Sequence, residues 1–228
     1  MKGDQLKRLD SIVPVRTIGL SRRSLTGRVV LDSGGGARFE SSLERDWFIC
    51  LDFDPSVKTI VEQPFSVAYQ LEGRTLRYTP DVLVQYCGLG FDEKVIVYEI
   101  KPIEELRTSW PKYRRRFTEA VRYCRSQGWR FKIVTENQIR TPLLKNAKFL
   151  RKYRGFEEQI LFRQQLLYSM RALGRATPQS LLALSYLHEE KRMAALTELW
   201  RMVATRELQT NLNVPLTMHS PIWIGEAR

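Results

Sequence analysis

Glu99-Ile100-Lys101 ends the apolar run Val95-Ile96-Val97-Tyr98, and Pro80-Asp81 opens a second run, Val82-Leu83-Val84. On a β-strand successive side chains point to opposite faces, so Glu99 and Lys101 share one side and Ile100 takes the other. A continuously apolar strand is buried on both faces. A carboxylate and an ammonium carried out of it are costly unless they meet a metal, a phosphate or each other. If the two runs pair, Asp81 and Glu99 face one another. Their oxygens then form a site for a hard cation, Mg²⁺ or Mn²⁺, in preference to zinc. Two carboxylates and a lysine so placed are the parts of a metal-dependent phosphodiesterase. An E-x-K triplet alone is common as a surface ion pair; Pro-Asp on a strand of its own gives it chemical meaning.

The charge of the chain names a substrate for such chemistry. Its 228 residues carry a net charge of +12 with an ordinary hydrophobic share of 43%. The surplus is local: residues 101–155 hold sixteen Lys/Arg against four Glu, which equals the whole excess. A polyanion is the simplest partner, and nucleic acid fits better than a membrane because no lipid-facing stretch accompanies the charge. Lys112, Arg114, Arg115 and Arg116 cluster with Tyr113 and Phe117 at a helix start. Adjacent helical residues fan over different faces, so two or three of the four are expected on the DNA backbone, giving affinity without sequence readout.

Other residue types exclude alternatives. Cys50, Cys87 and Cys124 are odd in number and lack metal-ligand spacing, which predicts plain thiols in a reducing compartment. His188 and His219 have no partner pattern, and Trp200 and Trp223 read as core. No run approaches membrane-span length and Met1-Lys2-Gly3-Asp4 opens no secretory signal, so a cytoplasmic protein is expected.

The elements that must position these residues follow from periodicity. Residues 1–38 are polar and basic, with Gly34-Gly35-Gly36 as punctuation, and predict an N-terminal arm. Leu43, Trp47, Phe48 and Leu51 recur at helical spacing behind Ser41 and Ser42 as caps. Pro64 to Leu71 and Arg77 to Tyr86 alternate like a hairpin about Gly73, and strand 94–100 follows. Pro111 opens a helix ended by Gly128, Arg130 to Val134 is a strand, and Pro142 to Lys152 a short helix. This is an α/β core with a mixed sheet, expected over 39–155. Helices at Glu157–Leu173, from Thr177-Pro178, and from His188 to about Arg206 precede a short hairpin over 208–224. That pattern predicts a small, mostly helical, winged-helix-like domain over 156–228.

Read outward, the motif is one of several ordered blocks. Ser21-Arg22-Arg23-Ser24-Leu25-Thr26-Gly27, Phe39-Glu40-Ser41-Ser42-Leu43-Glu44-Arg45-Asp46, Phe53-Asp54-Pro55, Glu62-Gln63-Pro64, Tyr78-Thr79-Pro80-Asp81, Glu99-Ile100-Lys101-Pro102 and Thr135-Glu136-Asn137-Gln138-Ile139-Arg140 resemble TnsA. TnsA is the endonuclease subunit of heteromeric, Tn-seven-like bacterial transposases. The ending, Leu199-Trp200-Arg201-Met202, Asn213-Val214-Pro215-Leu216-Thr217 and Ser220-Pro221-Ile222-Trp223, looks like that family's C-terminal domain.

The resemblance implies a restriction-endonuclease-like PD-(D/E)xK core that cuts the 5′ ends of a transposon. A DDE transposase, TnsB, cuts and joins the 3′ ends, and an AAA+ ATPase, TnsC, docks through the C-terminal domain and links to target choice. It implies Asp81 and Glu99 as Mg²⁺ ligands with the Ile100 carbonyl, and Glu44, with Glu40 as a rival, as the helix carboxylate that completes the site. Lys101 would steady the attacking water and the phosphorane. The family's prototype carries glutamine where Glu99 stands, and here the position fits the general nuclease pattern. Gln63 reads either as a turn residue or as a site-lining amide. Two other readings stay open: a free-standing restriction- or repair-type nuclease of this fold, and a non-catalytic DNA-binding assembly subunit.

Overall fold

The structure, a computed structural model, describes residues 26–31, 35–87 and 94–225. Two compact units divide it, Met1–Arg140 and Thr141–Arg228. The first is built on the two apolar runs. β6 (Val82–Tyr86) and β7 (Lys94–Ile100) pair antiparallel with Val82 opposite Tyr98, and Val82, Val84 and Val97 are wholly buried. β3 (Val57–Glu62) flanks β6, and β8 (Arg130–Val134) lies parallel to β7, giving the sheet order β3-β6-β7-β8. The sheet is mixed, as expected, because a long crossover must join parallel strands.

That crossover is α2 (Ile103–Ser126), longer than the sequence suggests. Ser109 leaves helical geometry at φ −116°, so a short first arm precedes the one that Pro111 opens. Tyr113, Phe117, Ala120 and Cys124 recur on one face and join Leu83, Val95 and Val97 in the core. The helix stops at Gly128 (φ 74°) in a Schellman motif: Gly128 N–H donates to the Arg125 carbonyl and Trp129 N–H to that of Cys124.

α1 (Ser42–Asp52) starts where expected, with the Ser41 hydroxyl accepting from Glu44 N–H at 3.1 Å. Its Trp47 ring meets Tyr98 edge-on, 5.3 Å between centroids. The predicted arm differs in part. Within residues 1–38, β1 (Gly27–Val30) pairs with β2 (Gly36–Phe39) and buries Val29, Ala37 and Phe39, because alternating apolar residues give the pair an inner face. The remainder of the arm, 1–25 and 32–34, lies outside the described residues.

The expected hairpin also divides. β4 (Val67–Leu71) and β5 (Arg74–Tyr78) form a separate two-stranded ribbon. Glu72 and Gly73, both left-handed at φ 51° and 74°, make the tight turn. Thr79-Pro80-Asp81 then leads to β6, because Pro80 supplies no N–H for a ladder.

The second unit begins earlier than the expected boundary near 155. α4 (Pro142–Arg151) belongs to it, because the buried Asn146 amide donates to the carbonyls of Leu212 and Val214 and accepts from Leu216 N–H. α3 (Glu136–Ile139) ends the first unit. α5 (Ile160–Leu173), α6 (Pro178–Ser185) and α7 (Glu189–Ala204) follow, with β9 (Arg175–Ala176), β10 (Leu208–Thr210) and β11 (Ile222–Ile224) in a small sheet ordered β10-β11-β9. Thr177 caps α6 through a capping box with Ser180. Trp200 is buried, while Trp223 is half-buried with its indole N–H on Gln209. His188 and His219 are exposed, Cys50 and Cys124 are buried free thiols, and Cys87 is an exposed one. No helix among the described residues is long and apolar enough to cross a membrane.

Candidate active site

The register of β6 and β7 continues from Val82 and Tyr98 to Asp81, just before β6, and Glu99, still within β7 and opposite Ile133 of β8. Val95, Val97 and Glu99 share one face of β7, so Glu99 leaves the core beneath α2. Asp81 is tied to β7 through its backbone: Ile100 N–H donates to Asp81 Oδ2 at 2.6 Å. Lys101 doubles back over both carboxylates. Its Nζ lies 3.0 Å from Glu99 Oε1, 3.5 Å from Asp81 Oδ2 and 3.1 Å from the Ile100 carbonyl oxygen. Three oxygens therefore converge on one cationic nitrogen.

Glu44 approaches from the first turn of α1. The Ser41 hydroxyl donates to Oε1 and Glu40 N–H to Oε2, each at 2.9 Å. Burial, then the negative charge of Asp81, push the Glu44 carboxyl up to about 7. Glu99, only 1% exposed, is pushed up to about 7 by the same two causes in the same order. Burial raises Asp81 as well, against the pull of Lys101. Burial opposes the charge on Lys101, yet Asp81 and Glu99 outweigh it and hold the ammonium above its ordinary value.

These four side chains were all expected from the sequence. Two that were not expected complete the surroundings of Glu99. Tyr78, the last residue of β5, donates its hydroxyl to Glu99 Oε2. Arg116 Nη2 stands 3.9 Å from Oε1, with its guanidinium stacked 4.1 Å over the Tyr113 ring. Arg116 was expected on DNA with Lys112, Arg114 and Arg115; it turns inward because it sits three residues after Tyr113, on the buried stripe of α2. That spacing was the available signal. The other three side chains are exposed.

Gln63 is tied to the site by its backbone. It is left-handed at φ 44°, its N–H donates to the Asp81 carbonyl at 2.9 Å, and it is 9% exposed. Its side-chain Oε1 meets no partner among the described residues. Beside Glu44 and Lys101 opens a cleft of about 360 Å³, walled by Ser41, Pro102, Glu105, Glu136 and Arg140. Glu136 accepts from Ile103 N–H at the start of α2, which holds its carboxyl below the ordinary range.

Among the described residues, no group of three carboxylate, imidazole or thiol side chains is arranged as a ready metal site. The donor chemistry nevertheless suits a hard cation. Asp81, Glu99 and the Ile100 carbonyl already surround a positive charge, that of Lys101, and the Glu44 carboxyl stands near enough for the charge of Asp81 to raise it.

Residues 54–136 match the family model described as TnsA-like endonuclease N terminal. That span contains Asp81, Glu99 and Lys101 and begins after Glu44. No curated protein matches the chain. Over this segment, whose paired strands set two carboxylates around one lysine, the chain is similar to the N-terminal domain of TnsA-like endonucleases.

Proposed function

We propose that this protein is a divalent-metal-dependent DNA endonuclease that cuts the 5′ ends of a transposon during cut-and-paste transposition. The observation that carries the reading is the cradle of Asp81, Glu99 and the Ile100 carbonyl around Lys101 Nζ. Those oxygens would hold Mg²⁺ or Mn²⁺, with Glu44 completing the set. When bound, the cation supplies charge neutralisation and Lewis-acid polarisation of the scissile phosphate.

The chain's own groups do the rest. Glu44 is fixed by the Ser41 hydroxyl and Glu40 N–H, each at 2.9 Å, so it would present an oriented carboxylate to the cation and its bound water. Lys101 stays charged, and its ammonium can stabilise the negative charge that develops on the phosphorane. Tyr78 and Arg116 orient the buried Glu99 carboxylate.

The setting is a complex: duplex transposon ends as substrate, a TnsB-type DDE transposase as the partner cutting the other strand, and a TnsC-type AAA+ ATPase docking on the second, winged-helix-like unit. A reconstituted excision assay that scores 5′ and 3′ cuts separately tests this. Asp81→Ala and Lys101→Ala should each lower 5′ cleavage by at least about a hundredfold, on the scale of losing a group that stabilises developing charge, while 3′ cutting by the partner persists. Unimpaired 5′ cleavage in both variants would overturn the assignment. Vigorous cleavage by the isolated wild-type chain would favour a free-standing nuclease instead.

A further inference from the structure

Beside the site, the ribbon of β4 and β5 and the second arm of α2 enclose a groove of about 660 Å³. Tyr69 and Gln70 line one wall; Arg114, Arg115 and Thr118 line the other. Both arginines are exposed, and neither forms an ion pair among the described residues. The acidic residue on the lining, Glu119, is neutralised by Arg122 Nη1 at 2.6 Å.

The ribbon carries further cations. Arg77 stands across the strands from Ala68, whose methyl group leaves that face low, and Arg74 stands beside the turn; both are exposed. Gln70 donates to Thr75 Oγ1 at 2.7 Å, so a cross-strand pair already uses these polar side chains. Four like charges gathered on two neighbouring elements repel one another and favour a bound polyanion.

Position identifies which polyanion. The residue that follows Arg77 is Tyr78, which donates to Glu99, and the residue that follows Arg115 is Arg116, which reaches the same carboxylate. Each element thus carries an exposed cation next in sequence to a group that touches Glu99, so groove and site are built on the same two elements.

We propose that the groove between the β4–β5 ribbon and α2 seats the sugar–phosphate backbone of the duplex flanking the cleaved bond. Arg114, Arg115 and Arg77 are its phosphate contacts, positioning the strand without reading its sequence. The proposal rests on the nuclease reading for its substrate, but its test needs no cleavage.

Binding of the full chain to a fluorescent duplex of arbitrary sequence is followed by anisotropy, without divalent cation, across a salt series. Each phosphate contact contributes about 0.9 to the slope of log affinity against log salt. Arg114→Ala with Arg115→Ala should weaken binding and flatten that slope by about two, and Arg77→Ala by about one. Arg125→Ala, on the last turn of α2 outside the groove, serves as the control and should leave the slope alone, and circular dichroism confirms that all variants fold. An unchanged slope in the double variant overturns the proposal. So does loss of a protein partner's binding with DNA affinity intact, which would make the groove a protein-docking surface. Failure of the wild type to cut in the reconstituted assay would remove the nuclease reading and leave this binding result standing.

Discussion

Lys101 holds the position a metal ion would compete for. Its ammonium is within 3.5 Å of all three oxygens proposed as ligands, so a cation entering the cradle must displace it toward the substrate phosphate. Removing a charge a few ångströms from the ligands should therefore tighten Mn²⁺ binding by about tenfold or more in Lys101→Ala without DNA. Titration calorimetry checks this, and unchanged or weaker affinity would show that the ammonium and the metal do not compete. The raised carboxyls have a pH signature. Glu44 and Glu99 move from 4.5 to about 7 on folding, so between those values the folded state binds more protons than the unfolded one. Stability of the metal-free protein should fall as pH rises through that window. Asp81→Asn, by removing the second cause of both shifts, should flatten the fall, as read from melting temperature against pH. Tyr78→Phe deprives a buried carboxylate of a donor and should cost about 1 to 3 kcal/mol in chemical denaturation. At this scale the sequence was legible where strand alternation decides, at Asp81, Glu99 and Lys101. It was silent about Tyr78, whose reach to Glu99 depends on how a separate ribbon is placed. Arg116 was hidden for a different reason: a run of three arginines reads as one basic face, although the 113–117–120–124 stripe puts its last member inside.

Elements were read best where capping and stop signals are chemically specific. Ser41 before α1, Gly128 after α2 and Thr177-Pro178 before α6 all stand where expected. Gly128→Ala would force a side chain into the left-handed region and should lower stability by about 1 to 2 kcal/mol. Glu72 already sits there at φ 51°, so Glu72→Asn should raise stability by up to about 1 kcal/mol, because asparagine tolerates that conformation better. Denaturant midpoints of both variants decide the pair, and opposite signs are the required outcome. β3 escaped notice because Val-Lys-Thr-Ile-Val-Glu is half polar, as suits an edge strand with residues open to solvent. The first arm of α2 carries no comparable signal in the sequence, because Pro111 marks a helix start inside the longer helix.

For the whole molecule, the boundary was the least legible feature. Residues 141–155 share the basic charge of the preceding segment, and composition assigned them to it. Asn146 instead joins them to a loop more than sixty residues away, a long-range contact that no local signal carries. The second unit also hides an ionic core: Glu198, 1% exposed, accepts from Arg201 at 2.6 Å and from Gln159 N–H at 3.0 Å. Glu198→Ala leaves that arginine without its main partner and should cost about 3 to 5 kcal/mol, read as lost hydrogen-exchange protection along α7. Protection equal to wild type would show that the ion pair contributes little there.

The break in α2 at Ser109 has a consequence for how such a protein can change over generations. The arm before it starts beside the cleft, where Glu105 stands; the arm after it carries Arg114 and Arg115 along the groove. A continuous hydrogen-bonded rod would pass any shift at one end to the other. Interrupted at one residue, the helix lets the arm that starts beside the cleft drift over generations while the arm that carries Arg116 to Glu99 keeps its place.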